Sequence, residues 1–204
     1  SQGAGIAATF QVSTAEELHN ALSDAGTNGQ DDTVQIAQGT YYGNFVYAST
    51  EDYTLSIKGG YSADFSSIIA DPENTVLNGK ENGRVLLLGC RNASATNESY
   101  IKNVKFTKGS TDSKGSGLHI DVNEGKVIID NCIISDNISA SSGGGICSWS
   151  KLILINSYII DNESNYGGGL YCNSKSVIVN NQFKRNNSSY GGGIYCYSSA
   201  DIIN

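Results

Sequence analysis

A glycine-rich motif returns at a fixed interval of 24 residues near the C-terminal end of this chain. The stretch "SSGGGICSWS" begins at Ser141, "NYGGGLYCNS" begins at Asn165 and "SYGGGIYCYS" begins at Ser189. Short runs such as "LILI" and "VIVN" lie between the motifs and are typical of strands, and no helical period follows Ala25. Short strands at a fixed spacing without intervening helices predict coils that stack as a parallel β-solenoid.

Asparagines repeat at intervals of 24 to 28 residues and predict a ladder of side chains at one bend of each coil. Equivalent positions in stacked coils lie about 4.8 Å apart, so each amide can bond the amides above and below it. A second series consists of Asn137, Asn162 and Asn186. The members of the predicted ladder are Asn103, Asn131, Asn156, Asn180 and Asn204.

The five cysteines do not show the spacing of a metal site. No C-x-x-C motif occurs and only two histidines are present, so no metal-binding residues are predicted. Cys172 and Cys196 occupy equivalent positions in neighbouring coils. The spacing of stacked coils permits a disulfide between them, and two buried thiols fit the pattern equally well.

The N-terminal segment has a different pattern, which predicts a strand followed by one helix. Thr14 and Glu17 form a capping-box signature, and Gly26 is expected at the end of the helix. An apolar stripe of Leu18, Ala21, Leu22 and Ala25 would cover the open end of the first coil. We therefore predict an N-terminal strand and capping helix in residues 1–30, a β-helix in residues 31–204, and one structural domain overall.

Several stretches resemble a known family. The sequences "FQVSTAEELHNAL", "DDTVQIAQGTYYGNF", "YTLSIKGGYS" and "NTVLNG" are similar to the opening of pectin-lyase-like domains. The alternation of "GGGIY" with "FKRN" resembles the repeats of bacterial polymorphic outer membrane proteins, although Phe106 to Gly109 lacks the final Asn. The resemblance implies an all-β, right-handed, single-stranded parallel β-helix with coils of about 24 residues, a fold that serves both enzymes and adhesins.

Composition excludes some partners and favours a location. The net charge is −7 and no basic block occurs, so a nucleic-acid partner is not expected. No apolar run reaches the ~18 residues that a membrane-spanning helix needs. Abundant Asn, Ser and Gly, with 12 tyrosines, are typical of secreted or cell-surface proteins, and we expect that a signal peptide has been removed.

The acidic residues do not form an evident catalytic pattern. Asp31 and Asp32 are the only adjacent Asp pair and fit a turn before a strand. Asp161 aligns with Arg185 of the next coil, which predicts an exposed ion pair between coils, and His119 is interpreted as an exposed histidine. A denser acidic stretch lies near several lysines and Arg91, and consists of Asp121, Glu124, Asp130 and Asp136. It would bind Ca²⁺ only if the protein were a polysaccharide lyase.

Outward-facing aromatic residues offer a contact surface. Strand alternation predicts that Trp149, Tyr171, Tyr195 and Tyr197 project from one side of the coils, where they would contact glycans or proteins. A tyrosine ladder that only stabilises the sheet fits the same pattern.

We therefore expect a non-catalytic extracellular or cell-surface protein, structural or adhesive, with no cofactor and no catalytic residues. Head-to-tail self-association through the last coil and the N-terminal segment is a further expectation. The alternative is a polysaccharide lyase or hydrolase that acts on an acidic glycan. Three or more acids around a basic residue in one groove would favour the alternative.

Overall fold

The computed structural model describes residues 7–203, which form a parallel β-solenoid of about eight coils spaced about 25 residues apart. The predicted parallel β-helix with an N-terminal helical cap is confirmed. Asn204, the last predicted member of the asparagine ladder, lies outside the described residues, and so do residues 1–6.

Four parallel sheets, which we name A to D, run along the solenoid, with strands numbered β1 to β24 in chain order. Sheet A contains β1 (Ala8–Val12), β2 (Asp32–Ala37), β5 (Leu55–Tyr61), β8 (Glu98–Lys102), β12 (Lys126–Asp130), β16 (Lys151–Ile155), β20 (Ser176–Val179) and β24 (Ala200–Ile203). Sheet B contains β3 (Gly39–Tyr42), β6 (Thr75–Asn78), β9 (Lys105–Thr107), β13 (Ile133–Ser135), β17 (Tyr158–Ile160) and β21 (Gln182–Lys184).

The other two sheets complete each coil. Sheet C contains β4 (Phe45–Ser49), β7 (Leu86–Cys90), β11 (Leu118–Val122), β15 (Ile146–Ser148), β19 (Leu170–Cys172) and β23 (Ile194–Cys196). Sheet D contains only short strands, which are β10 (Ser110–Thr111), β14 (Ile138–Ser139), β18 (Glu163–Tyr166) and β22 (Asn187–Tyr190). A short 3-10 helix covers Pro72–Asn74.

Inward side chains of equivalent residues form columns that fill the solenoid. In sheet A, one column is buried from the second strand to the seventh, and it consists of Val34, Ile57, Ile101, Ile129, Leu154 and Ile178. In sheet C, Ile146 and Leu170 are buried, and Ile194 of the last coil packs against this core while partly exposed. Strand alternation therefore places one face of sheets A, B and C in a shared core.

The helix α1 (Ala15–Ala25) closes the first coil. Thr14 accepts a hydrogen bond from the Glu17 backbone N–H, and the Glu17 carboxylate accepts from the Thr14 N–H, so the predicted capping box is present. The predicted apolar stripe is buried in the main core, against β1, β2 and β4. Because β1 pairs with β2, the predicted N-terminal segment contributes the first strand of sheet A.

The predicted asparagines occupy the corner between sheets A and B. Asn103, Asn131, Asn156 and Asn180 all adopt φ between 51° and 57°, the left-handed conformation that asparagine tolerates better than most residues. Asn131 Nδ2 donates to Asn103 Oδ1 at 2.8 Å, and Asn180 donates to Asn156 at 2.8 Å. Asn156 Nδ2 donates to Asp130 Oδ1 at 2.9 Å, so an aspartate joins the two halves of this ladder.

The second series forms a ladder that is more deeply buried, at the corner between sheets B and D. Asn137 Nδ2 donates to Asn162 Oδ1 at 3.0 Å, and Asn162 Nδ2 donates to Asn186 Oδ1 at 3.0 Å. At Gly109, which lacks a side chain, the backbone N–H donates to Asn137 Oδ1 at 2.8 Å. This ladder therefore links four successive coils through one corner.

Candidate functional site

The outer face of sheet C carries the predicted aromatic residues, in two rows. Tyr171 and Tyr195 are paired in register, and the equivalent residue of the preceding coil is Cys147 rather than Trp149. Trp149 lies just after its strand, two residues beyond Cys147, as Tyr197 lies two residues beyond Tyr195. The four predicted residues therefore lie on one side of the solenoid but in two parallel rows.

Two further tyrosines from sheet D extend this surface. The Tyr166 and Tyr190 rings are stacked with centroids 5.0 Å apart, and the Tyr171 and Tyr195 rings are stacked at 5.6 Å. Tyr166 also contacts Tyr195 edge-on at 5.6 Å, so the two stacks are joined. The aromatic surface, as we define it, consists of Trp149, Tyr166, Tyr171, Tyr190, Tyr195 and Tyr197.

Sequence reasoning noted that Tyr166 and Tyr190 match between coils but did not place them beside the other tyrosines. The signal was their 24-residue spacing. Their proximity to Tyr195 depends on the tight corner at Gly167 and Gly191, where φ is 61° and 65°. Local sequence does not show how sharply such a corner turns.

Trp149 contacts a lysine and lies close in the chain to a buried cysteine. Lys114 Nζ lies 4.3 Å from the centroid of the indole ring, a cation–π contact. Cys147, two residues before Trp149, is fully buried although it belongs to the outer row of the sheet. Burial raises the pKa of the Cys147 thiol to about 11, so this cysteine is held as a neutral thiol at neutral pH.

The interpretation of His119 as an exposed histidine is wrong. Its side chain is half-buried in the outer row of sheet C, paired in register with Cys147, and its Nδ1 is buried without a hydrogen-bond partner among residues 7–203. Burial lowers the pKa of His119 to about 4, and the positive charge of Arg84 adds to this effect. Arg84 is held in place because its Nε donates to the Gly115 carbonyl and its Nη2 donates to the Lys114 carbonyl.

A groove at the corner between sheets B and D contains four acids and one lysine. It has a volume of about 210 Å³. The corner residues Lys108, Asp136, Asp161 and Arg185 repeat in successive coils, all with φ between 51° and 56°. The charged residues that line the groove are Glu81, Lys108, Asp136, Asp161 and Glu163.

Ion pairs occupy part of this groove. Lys108 Nζ lies 3.6 Å from Glu81 Oε1. Arg185 donates through Nε and Nη2 to both carboxylate oxygens of Asp161 at 2.6 Å, so the predicted pair between coils is confirmed. These hydrogen bonds hold the pKa of Asp161 below its usual value. Asp161 is therefore an anion that is already paired, which does not suit a general acid.

The acidic stretch considered for a lyase does not assemble into one site. Asp130 pairs with Lys102 at 2.7 Å on sheet A, whereas Asp121 belongs to sheet C and Asp136 to the corner groove. Within residues 7–203, no three His, Cys, Asp or Glu side chains come together in a way that could hold a metal ion. Asp31 accepts from the Thr54 N–H at 2.7 Å, which fits the predicted turn.

The structure joins Cys172 and Cys196 as a disulfide between neighbouring coils, with Cα atoms 4.7 Å apart. These cysteines lie inward, directly after Tyr171 and Tyr195, so the bond lies behind the aromatic surface. The three remaining cysteines, Cys90, Cys132 and Cys147, are buried as free thiols.

Comparison with known proteins does not supply a family. No family model, no curated protein and no solved structure matches the chain. No helix within residues 7–203 is long and apolar enough to cross a membrane. Two surface features of the solenoid, the aromatic surface and the corner groove, are therefore the candidates for a functional site.

Proposed function

We propose that this protein is a non-catalytic extracellular or cell-surface β-solenoid, structural or adhesive, that contacts its partner through the aromatic surface. One observation carries the proposal, namely that six aromatic side chains of neighbouring coils lie together on one side of the molecule. Four of them are well exposed, with Trp149 at 36%, Tyr166 at 41%, Tyr190 at 58% and Tyr197 at 76%. A contiguous exposed aromatic patch of this kind is typical of a binding surface.

The ring geometry favours a glycan as the partner. The Tyr171 and Tyr195 rings stack on each other, so one face of each ring is covered, and both residues stay partly exposed to a ligand. Tyr197 has no ring stacked on it among the described residues and is open to solvent. Such a surface offers a ring face for stacking beside a row of hydroxyl groups for hydrogen bonds, which suits the alternating CH and OH groups of a sugar chain.

Two features support the extracellular location. A disulfide between coils persists in oxidising compartments and is rare in reducing ones. The resemblance of the opening stretches to pectin-lyase-like domains, and of the repeats to polymorphic outer membrane proteins, points to the same location. On the basis of these motifs, we propose that the chain is related to these two families.

A test of the contact surface uses the single tryptophan. Fluorescence of Trp149 is recorded while acidic and neutral oligosaccharides are added to the intact chain. We expect a saturable change with at least one glycan, and at least about tenfold weaker binding after Tyr197→Ala or Tyr195→Ala, because each removes stacking or packing area. Tyr158→Ala is the matched control, because Tyr158 is 43% exposed on sheet B. Equal binding by all three variants would contradict the proposal.

The second candidate is a hydrolase or lyase that acts on an acidic glycan, and the corner groove favours it. Four acids and one lysine in one groove meet the criterion stated from sequence. An acidic substrate would be repelled by this excess of negative charge, which is why we place this candidate second.

The second candidate has its own test. Acidic polysaccharides are incubated with the protein, and new reducing ends and unsaturated products are measured. Turnover that Asp136→Asn or Glu163→Gln abolishes would show that the protein is an enzyme and that the non-catalytic proposal is wrong. The expected result is no turnover in the wild type.

Head-to-tail association through the last coil and the N-terminal segment stays a prediction. The N-terminal residues 1–6 lie outside the described part of the chain. Light scattering and electron microscopy of the same sample would test it, because a non-closing contact builds filaments that grow with concentration. A particle of constant monomer mass at high concentration would contradict it.

A further inference from the structure

We propose that Tyr166 and Tyr190 form a site of oxidative cross-linking, at which hydrogen peroxide, activated by a haem peroxidase, joins the two phenols as dityrosine. The glycan-contact proposal does not require this chemistry, and the two proposals are tested separately. The site would give the solenoid a second covalent link between neighbouring coils.

The Tyr166 and Tyr190 rings are stacked on each other and open to solvent. Tyr166 and Tyr190 are paired in register in neighbouring strands of sheet D, and their rings are 10° from parallel with centroids 5.0 Å apart. Both are reached by solvent, at 41% and 58% exposure, so an oxidant in solution can reach them. A radical on one phenol therefore meets the other at a very high effective concentration, compared with a phenol of another molecule.

Hydrogen bonds hold the backbone of both tyrosines in place. The Gly167 N–H donates to the Tyr190 carbonyl at 2.9 Å, which ties the end of one strand to its neighbour. The Ser164 and Ser188 hydroxyls donate to the carbonyls of Tyr166 and Tyr190 at 2.9 and 2.7 Å. Only side-chain rotation, which takes picoseconds to nanoseconds for exposed residues, is needed to bring two ortho carbons together.

The pair of Tyr166 and Tyr190 belongs to a longer series of neighbouring phenol rings. Tyr195 lies 5.6 Å from Tyr166, and Tyr171 lies 5.6 Å from Tyr195. A radical formed on either inner ring has a neighbouring phenol that can donate a hydrogen atom to it. Tyr171 and Tyr195 are less exposed and their centroids are farther apart than those of the outer pair. Coupling is therefore expected at Tyr166 and Tyr190.

The chemistry balances with hydrogen peroxide as the two-electron oxidant and a haem peroxidase as catalyst. Each phenol loses one electron and one proton to become a phenoxyl radical, and the peroxide is reduced to two molecules of water. The two radicals form a carbon–carbon bond between ortho positions, and each ring regains its aromaticity as its ortho hydrogen moves to the oxygen. The protein loses two hydrogen atoms in total.

The experiment treats the intact chain, at low concentration, with peroxidase and hydrogen peroxide. The monomer is isolated by size exclusion, the disulfide is reduced and alkylated, and the chain is cleaved with trypsin. Reduction is required because the Cys172–Cys196 disulfide would join the same two peptides. We expect the peptide 152–175 to be linked to the peptide 186–204, with fragmentation placing the bond between Tyr166 and Tyr190.

Variants provide a second readout through dityrosine fluorescence of the monomer. Tyr166→Phe and Tyr190→Phe keep the ring but remove the phenol, and we expect about fivefold less dityrosine in each. Tyr158→Phe, on sheet B, should retain the wild-type yield. The proposal is overturned if the monomer contains no dityrosine, if links form only between separate molecules, if the bond maps to another pair, or if Tyr190→Phe keeps the wild-type yield.

Discussion

At the scale of single residues, the side chains of the asparagines between sheets B and D make more hydrogen bonds than the side chains of the asparagines between sheets A and B. Asn162 Oδ1 accepts from the Asn137 backbone N–H at 3.2 Å and from Asn137 Nδ2 at 3.0 Å. Its Nδ2 donates to the Ile134 carbonyl at 2.9 Å and to Asn186 Oδ1 at 3.0 Å. One amide therefore satisfies polar groups of the coil before it and of the coil after it, and it does so at 1% exposure.

We expect Asn162→Ala to lower the free energy of unfolding by about 3 kcal/mol, because polar groups of both neighbouring coils lose their partner together. Asn156→Gly is the matched control, since glycine adopts the φ of 52° without strain and Asn156 is exposed, and it should cost less than about 1 kcal/mol. Urea unfolding followed by circular dichroism measures both. An equal loss of unfolding free energy in the two variants would show that burial does not explain how much Asn162 contributes to stability.

His119 makes stability depend on pH in a defined direction. Its pKa in the folded protein is lowered to about 4, from an ordinary value of 6.5, chiefly by burial. Between pH 4 and pH 6.5 the unfolded chain binds more protons than the folded chain. The contribution of the neutral His119 to stability is therefore full above pH 6.5, the pKa in the unfolded chain, and is lost as the pH falls toward 4. The charged groups near the ring are Arg84, Lys114 and Asp121.

We expect His119→Gln to flatten the pH dependence of unfolding between about pH 6.5 and 4 relative to the wild type. Urea unfolding at a series of pH values measures this, and nuclear magnetic resonance titration of the His119 ring measures its pKa directly. A ring that titrates near its ordinary value would contradict the burial seen in the structure.

At the scale of the elements, the glycine triplets set how closely coils approach. A Cβ at Gly145 would lie 2.6 Å from the Gly169 carbonyl oxygen and 3.0 Å from Asn162 Nδ2. A Cβ at Gly169 would lie 2.5 Å from the Gly193 carbonyl oxygen, so the equivalent glycine of the next coil is constrained in the same way. The third glycine of the first two triplets is therefore required by contact with the neighbouring coil.

We expect Gly145→Ala to destabilise the protein by about 2–3 kcal/mol, because the clashing atom belongs to the backbone and cannot rotate away. Gly89→Ala is the control on the same sheet, since its Cβ would lie 3.7 Å from the nearest backbone oxygen. That variant should be neutral or up to about 1 kcal/mol more stable. Thermal and urea unfolding measure the difference, and a tolerated Gly145→Ala would mean that the coils separate easily.

At the scale of the whole molecule, the solenoid is nearly one-dimensional. Each coil contacts its neighbours above and below, so the stability of one end is coupled only weakly to the other. The Cys172–Cys196 disulfide joins two neighbouring coils near the C-terminal end of the described chain and closes a loop of 24 residues. A loop of this length stabilises the folded state by about 3 kcal/mol.

We expect reduction of this disulfide to speed amide exchange about 100-fold in the coil around residues 187–203, and to leave residues 98–160 unchanged. Hydrogen exchange with mass spectrometry, with and without reductant, measures this. The variant with both Cys172→Ser and Cys196→Ser should not respond to reductant. A change spread evenly along the chain would show that the solenoid unfolds as one cooperative unit.

The sequence by itself determined the coil, its period and its cap. The 24-residue spacing, the β-branched runs and the capping box are local signals, and each describes residues close together in the chain. They predicted the Asp161–Arg185 pair and the outward direction of Tyr171 and Tyr195, because a fixed repeat converts sequence position into spatial position.

Only the tertiary structure decided which side chains meet across corners and between coils of unequal length. It placed Tyr166 beside both Tyr190 and Tyr195, left His119 half-buried near the positive charge of Arg84, and brought Glu81 into one groove with Glu163. The physical reason is that a repeat fixes the register along a sheet, whereas the angle of each corner depends on backbone conformation and on contacts with neighbouring coils.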